Sequence, residues 1–473
     1  MKNLLQNKKH IHFIGIGGSG MYPLAQILHN KGFFLTGSDN NPTDTVDAVK
    51  EMGIEVFMGH FPTNVLGADL IVRSAAIKDD NPEIIAAREK GIEIIERADL
   101  LGWITKQYEK AICVSGTHGK TTVSSMLVYI FMAEAQDTDA ADTSPADISA
   151  VIGGKLKILN GGSGRVGTSD IMICEACEYA DTFLKLAPDI SVILNIDRDH
   201  LEYFKTMDNL RLSFTKFCDI TSDTLVVNGD DSNTMQAVNN SGFKGRIITF
   251  GQGKDNDYYP ENIVDSRFDL VKQGKLLAHI KLNVPGEHNI MNAVAACAVA
   301  DSMGRGISAV VKGIEAFTGA GRRFEILSRC DGITVIDDYA HHPAEITATL
   351  KAAREYMRST AGSGGNQRLW AVHQPFTYSR TASMLDEFAV SLSIADKVTL
   401  TQIMGGREVN DSRVCSEDLA NKINSETPGL CNWLAEFEET CAYIVENSQI
   451  GDHIITLGCG DVNRLAHMIV KNL

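Results

Sequence analysis

The residues Ser115-Gly116-Thr117-His118-Gly119-Lys120-Thr121-Thr122 combine types and spacing that act on phosphates. They follow the apolar run AICV and precede a helical pattern at Val123–Met132. In such a phosphate loop, shorter here than GxxxxGK[ST] but with the same ending, backbone N–H groups cradle phosphate oxygens. Lys120 would reach the β- and γ-phosphates, and the Thr121 hydroxyl would bind Mg²⁺. Phosphoryl transfer also needs acidic groups for the metal. The apolar stretch Asp170–Cys174 ends at Glu175, with Glu178 close by, and Val192–Ile196 runs into Asp197-Arg198-Asp199-His200. Thr121, Glu175 and His200 form a donor set that can hold one or two Mg²⁺. Asp197 and Asp199 can equally be helix caps.

Gly15-Ile16-Gly17-Gly18-Ser19-Gly20 forms a second signal, GxGxxG, between the strand-like HIHFI and a helical pattern at Met21–Asn30. Asp39 lies 19 residues beyond Gly20, at the end of the next strand, where a ribose-binding acid belongs. The pattern specifies the diphosphate of a nucleotide without saying which one, and an NAD-binding domain is its commonest use. The glycines could also serve only close packing of helix on strand. A dehydrogenase needs no phosphate loop, and a simple ATPase needs no GxGxxG. The pairing points to ATP energy spent on a substrate that carries its own nucleotide handle.

The elements that must position these loops are short apolar runs alternating with helix-length patterns, the rhythm of βαβ units and parallel sheets. One series contains HIHFIG, FFLTGSD, ADLIVRS and IEIIE. A second contains AICVSG, IMICEA, ISVILNI, TLVVNG and RIITFG, and a third contains GITVIDDY, RLWAVHQ, KVTLTQ and DHIITLGCG. Boundaries near Tyr108–Lys110 and Gly319–Gly321 divide the chain into 1–108, 109–320 and 321–473. Ala133–Ala150 reads as an exposed excursion and Ser359–Gln367 as a flexible connector. At 473 residues, about three domains are expected. The net charge of -16 argues against a nucleic-acid partner. No apolar run approaches membrane-spanning length, and the N-terminus has no signal-peptide pattern, so a cytosolic protein is expected. The ten cysteines are scattered, as buried hydrophobes in a reducing compartment would be. Cys174 and Cys177 have CxxC spacing, but no second pair of ligands lies close in sequence to make a zinc site.

GTHGKTT resembles the ATP loop of the Mur ligase family, the ATP-dependent amide-bond-forming enzymes of peptidoglycan synthesis. The resemblance extends through HFIGIGGSGM, SAAIKDDNPE, EACEYADTFL, NIDRDH, GEHNIMNA, GAGRRFE, DDYAHHPAEI and QPFTYSRT, in order along essentially the whole chain. It implies three α/β domains: an N-terminal Rossmann-like domain that binds UDP, a central P-loop ATPase-like domain, and a C-terminal Rossmann-like domain that brings the amino acid. The motifs are most like the family's alanine-adding branch, which implies UDP-N-acetylmuramate and L-alanine as substrates, ATP and Mg²⁺ as cofactors, and a monomer or homodimer.

Site residues carry over by motif. Gly17, Gly18, Ser19 and Ser74 match UDP-binding loops, with Asp39 and His60 as further candidates. Gly116, Thr117, His118, Gly119, Lys120, Thr121 and Thr122 match the ATP loop, and Glu175 and His200 match Mg²⁺ ligands. Asn289 and Asn292 match an adenine-side motif. Arg323 and Asp338 would reach ATP, and Tyr339, His341 and Arg380 match the region that receives L-alanine. The implied chemistry has a carboxylate attack the γ-phosphate to give an acyl phosphate, which the free amine then attacks. His341 would assist deprotonation, and Arg380 would pair with the alanine carboxylate. His341 and His342 could instead pack or cap at a strand end.

The chain departs from the family at two points. QPFTYSRT has Phe376 where the family motif has His, with His373 three residues earlier. The position of the carbamylated lysine of many Mur ligases is Phe214, with Lys216 nearby; the alanine-adding branch also lacks that lysine. A ligase that joins a preformed peptide to the same sugar nucleotide is the close alternative, and it would need more room around Phe376 and Arg380.

Overall fold

The computed structural model describes residues 4–134, 145–360, 367–406, 408–410 and 412–473. The middle of the Ala133–Ala150 excursion and most of the Ser359–Gln367 connector lie outside the described residues. The chain divides into two compact units. One comprises Met1–Asn262, Phe268–Ile280 and Met291–Phe317; the other comprises Ile263–Arg267, Lys281–Ile290 and Thr318–Leu473.

The first sheet contains β1 (His10–Ile14), β2 (Phe34–Asp39), β3 (Glu55–Met58), β4 (Leu70–Arg73) and β5 (Glu93–Glu96). Its order is β3-β2-β1-β4-β5 and every pairing is parallel. Strand order reverses between β1 and β4. The loops after these two strands therefore flank the crevice where doubly wound sheets bind ligands. The helix Tyr22–Asn30 returns from β1, started by Pro23 in its first turn. It buries Leu24, Ile27 and Leu28, an i, i+3, i+4 stripe, against Ile11 and Phe13 of β1. Burial of each such side chain is worth roughly 1.5–3 kcal/mol.

The second sheet contains β6 (Lys110–Ser115), β7 (Ser149–Leu156), β8 (Gly162–Arg165), β9 (Ile171–Glu175), β10 (Ile190–Ile193), β11 (Thr224–Asn228), β12 (Arg246–Phe250), β13 (Tyr258–Val264), β14 (Arg267–Lys272) and β15 (Lys275–Lys281). Its order is β15-β14-β13-β12-β11-β10-β6-β9-β7-β8. β6 lies between β9 and β10, parallel to both. These central strands are apolar along their length because both faces are covered. The loops after β6, β9 and β10 therefore emerge side by side.

The third sheet contains β16 (Glu325–Cys330), β17 (Ile333–Asp338), β18 (Leu369–His373), β19 (Lys397–Leu400), β20 (Cys431–Trp433) and β21 (His453–Leu457), in the order β16-β17-β21-β18-β19-β20. Only β16 runs antiparallel to its neighbour. The ends of β17, β21 and β18 are adjacent, which gathers Tyr339, Cys459 and the Gln374–Arg380 segment.

The cysteines are free, and six are buried. Cys174 packs against Cys113 across β9 and β6, with sulfurs 3.4 Å apart, so half of the CxxC pair belongs to the core. No helix among the described residues is long and apolar enough to cross a membrane.

Candidate active site

In the first unit the phosphate loop is bound firmly to its neighbour strand. Thr117 N–H donates to Asn195 O, His118 N–H donates to the Asn195 side chain, and Asn195 Nδ2 donates back to His118 O. Asp197 N–H donates to the Thr117 hydroxyl. Gly119 sits at φ +90°, and a Cβ there would come within 2.6 Å of Asn292 Oδ1, so the turn and the close approach both require glycine. The helix Lys120–Met132 starts at once, and its first-turn N–H groups have no helical acceptors.

Lys120 folds back over the loop. Its Nζ donates to Gly116 O and Thr117 O and lies 3.0 and 3.2 Å from the two oxygens of Glu178, which is buried. Burial alone would lower the Lys120 pKa, but the charge of Glu178 outweighs it and the ammonium is held above its ordinary range. Glu175, the acid expected at the metal, instead accepts from Gly153 N–H and the Ser124 hydroxyl. His200, in the left-handed region at φ 54°, packs at a tilt against the Tyr179 ring, centroids 4.8 Å apart, and lies 3.4 Å from Glu202. Burial lowers its pKa, but Glu202, Asp199 and Glu178 more than reverse this and raise it. Glu178 thus bears on both Lys120 and His200. Its only sequence signal was its place three residues after Glu175. Phe214 is buried in an apolar cluster with Phe183 and Phe217, the Phe183 ring meeting it edge-on.

At the first sheet, the Gly15–Gly20 loop meets Ser74, whose hydroxyl lies 3.7 Å from where a Gly15 Cβ would be. Asp39 accepts from Gly17 N–H at 2.9 Å, so its carboxylate braces the loop. The other loop N–H groups are largely committed: Gly15 and Ile16 to Ser38 O, Gly18 to Gly15 O, and Met21 and Tyr22 to Gly18 O. Those of Ser19 and Gly20 carry no acceptor among the described residues. Arg97, half-buried, lies beside them: its guanidinium would be 3.3 Å from a Cβ on Gly20, and it pairs with no carboxylate among the described residues. Sequence reasoning missed it, because a single arginine at a helix start has no pattern. His60 has a different setting. It joins Ser38, Asn64 and His12 around the buried carboxylate of Glu83.

In the second unit, Arg322 donates to Asp337, Gly458 O and Gly460 O, and it covers one side of Tyr339 at 5.1 Å. Arg323 stands 4.8 Å from the same ring. Asp338 accepts from Phe324 N–H, Ala340 N–H and the Thr349 hydroxyl, and burial pushes its pKa up to about 6 against the pull of Arg323. His341 Nδ1 lies 3.0 Å from Tyr339 O and 3.3 Å from Glu345. Phe376 presents an edge to the His341 ring at 6.2 Å and packs on Gly406, where a Cβ would come within 3.0 Å of it. His373 is fully buried, its Nδ1 on Leu457 O and its ring on Phe388. Burial lowers its pKa to about 4, so it does not stand in for the missing histidine. Arg380 acts electrostatically on Cys459, whose thiol burial pushes up to about 12. Asn289 is buried, its amide donating to Pro285 O.

Three family models match the chain: "Mur ligase family, catalytic domain" over residues 10–109, "Mur ligase middle domain" over 114–300, and "Mur ligase, glutamate ligase domain" over 322–460. The chain is 40% identical over 471 residues to the UDP-N-acetylmuramate–L-alanine ligase of Clostridium botulinum (strain Langeland), covering 98% of each chain. It is 40% identical over 474 residues to the enzyme of that name from Caldanaerobacter subterraneus subsp. tengcongensis, covering 99% of this chain and 98% of the relative. The crystal structure of UDP-N-acetylmuramate-alanine ligase from Thermotoga maritima superposes with a TM-score of 0.79 at 28% identity, over 98% of this chain and 99% of the other.

Proposed function

Since the chain belongs to the Mur ligase family, we propose that it is an ATP-dependent ligase joining L-alanine to UDP-N-acetylmuramate through an acyl phosphate, as a step of peptidoglycan synthesis in the cytoplasm. The observation that carries the reading is the pairing, in one unit, of a braced glycine loop beside Arg97 and a phosphate loop whose Lys120 lies on Glu178. One suits the diphosphate of the sugar nucleotide, the other ATP.

In this reading the substrate diphosphate takes the N–H groups of Ser19 and Gly20 and the Arg97 guanidinium, with Gly17, Gly18 and Ser74 shaping the crevice. The triphosphate takes the first-turn N–H groups of the helix after Thr117-His118-Gly119, and Lys120 moves from Glu178 onto the phosphates. Asn292, packed against Gly119, and Asn289 face the adenine side. Thr121, Glu175 and His200, with Glu178, are hard oxygen donors and one imidazole, a set that fits Mg²⁺. Bound there, the ion would neutralise charge on the β- and γ-phosphates. The lactyl carboxylate attacks the γ-phosphorus, and Lys120 balances the charge that spreads over the phosphoryl oxygens. Arg380 holds the alanine carboxylate beside Tyr339 and His341. Asp338 holds the strand end that carries them.

The domains we assign are 1–108 for the sugar nucleotide, 109–320 for ATP and 321–473 for the amino acid. The close packing of Phe376 on Gly406 and beside His341 favours a small amino acid over a peptide in the pocket. The test is phosphate release from ATP with Mg²⁺ and UDP-N-acetylmuramate, adding L-alanine, glycine, L-serine or a tripeptide in turn. Release with L-alanine, abolished by Lys120→Ala, supports the reading. Release with the tripeptide alone makes the chain a recycling ligase, and no release with any amine refutes ligase activity.

A further inference from the structure

We propose that Glu83 is a positioning residue for the sugar nucleotide: it fixes the end of β2 and, through β2, the glycine loop that receives the diphosphate. The role rests on the ligase reading above and extends its diphosphate site to a buried acid that does not touch the ligand.

The glycine loop is seated on three consecutive residues of β2. Gly37 leaves room for Ile16, since a Cβ there would come within 2.5 Å of the fully buried Ile16 side chain. Ser38 O accepts the N–H groups of Gly15 and Ile16 at 2.8 and 3.1 Å. The Asp39 carboxylate accepts that of Gly17 at 2.9 Å. Residues 37–39 thus set the backbone path of residues 15–17, and that path presents the N–H groups of Ser19 and Gly20.

The end of β2 is itself tied down by its Ser38 hydroxyl, which donates to Glu83 at 2.7 Å, both side chains being buried. Glu83 stands in the first turn of the helix Pro82–Glu89, where the Asn81 side chain accepts its N–H at 2.9 Å. That helix follows β4, across the reversal of strand order from β2. His60 Nδ1 lies 3.0 Å from the oxygen that Ser38 uses. Asn64 Nδ2 donates to the other oxygen at 2.6 Å, and His12 Nε2 of β1 is 3.5 Å from it. The far side of the His12 ring is held as well, with Nδ1 2.8 Å from the Thr36 hydroxyl. Asn64 also donates to Gly59 O, and Gly59 N–H donates to Asp39 O. Glu83 therefore holds Ser38 directly and Asp39 through Asn64 and Gly59.

A carboxylate this far from water is costly to keep charged. Burial would raise its pKa, but the hydrogen bonds from His12, Ser38 and Asn64 outweigh burial and hold it below the ordinary carboxylate range. An apolar side chain could fill the same space without that cost. The charge adds direction: groups on β1, on β2 and after β3 converge on two oxygens, which fixes the strand ends relative to one another.

Glu83→Gln keeps the shape, removes the charge and turns an N–H₂ toward groups that donate. With the full-length protein, calorimetry should show UDP-N-acetylmuramate binding about tenfold more weakly to the variant. ADP with Mg²⁺ should bind within about twofold of wild type. Initial rates should agree, with KM for UDP-N-acetylmuramate raised about tenfold and both kcat and KM for ATP within about twofold. Ser38→Ala cuts the same path while leaving the carboxylate in place. It should weaken the sugar nucleotide about threefold, and it decides the question if Glu83→Gln does not fold. A residue serving only the core would lower the melting temperature and leave both affinities unchanged. That result, or an equal loss of both ligands, would overturn the proposal. If wild type itself does not bind UDP-N-acetylmuramate, the ligase reading fails instead.

Discussion

The Lys120 ammonium lies 3.0 Å from a Glu178 oxygen that is almost fully withdrawn from water. A buried ion pair of this kind must be opened before the lysine can serve a phosphate, so nucleotide and Glu178 compete for one cation. Lys120→Ala should therefore cut phosphate release by about 10²-fold or more. Glu178→Gln should act in opposite directions on two readouts. Turnover should fall, while ADP measured calorimetrically in the presence of a chelator should bind about tenfold more tightly, a difference of roughly 1.4 kcal/mol. Unchanged ADP affinity would mean that Lys120 does not leave Glu178 for the nucleotide.

Gly119→Ala should separate binding from folding. The φ of +90° costs a non-glycine residue roughly 1–2 kcal/mol, and the added carbon would meet Asn292 Oδ1 at 2.6 Å. The buried strands around the loop are untouched. The variant should unfold within a few degrees of wild type, yet need at least about tenfold more ATP for half-maximal rate. A large loss of melting temperature with ATP affinity preserved would contradict this.

Arg97→Ala should affect the sugar nucleotide alone. A guanidinium with no carboxylate partner among the described residues, beside two N–H groups with no acceptor among them, is suited to a diphosphate, and a charged hydrogen bond is worth about 1.5–3 kcal/mol. The KM for UDP-N-acetylmuramate should rise about 10- to 100-fold, with the KM for ATP within about twofold. Initial rates over a grid of both substrates check this, and an equal effect on both would move Arg97 away from the diphosphate.

The legible parts of the molecule were those written in local pattern. Short apolar runs placed the strands, and the glycines at 15–20 and 116–119 marked the turns at the two sheet crevices because few other residues can follow those backbone paths. The side chains that complete the sites were less visible. Glu178 and Glu175 sit three apart in EACE, and only the direction in which the chain leaves β9 decides that one meets Lys120 and the other Gly153. Asp39 was read as a ribose acid, yet its carboxylate holds Gly17 N–H. His60 was read as a substrate residue, yet it serves the buried Glu83, which no sequence spacing announces. Arg97 is made important by long-range placement, which does not alter composition.

Asp338 makes the stability of the C-terminal unit depend on pH. Burial lifts its folded pKa to about 6, above the ordinary 3.8. The folded chain therefore holds the proton more tightly than the unfolded chain, and the group stabilises the fold fully below about pH 4. That contribution is lost as pH rises from about 4 through about 6, and two pKa units correspond to on the order of 2–3 kcal/mol. Asp338→Asn removes the titration. It also sets one amide N–H₂ against a backbone donor, because Oδ1 and Oδ2 accept from Ala340 N–H and Phe324 N–H respectively. The variant should thus be less stable at pH 5, by about 1–3 kcal/mol, and its stability should change less between pH 4 and 7 than that of wild type. Urea unfolding of the nucleotide-free protein, followed by tryptophan fluorescence with Trp370 in this core, gives both quantities. The same slope in both proteins would assign the pH dependence to another group.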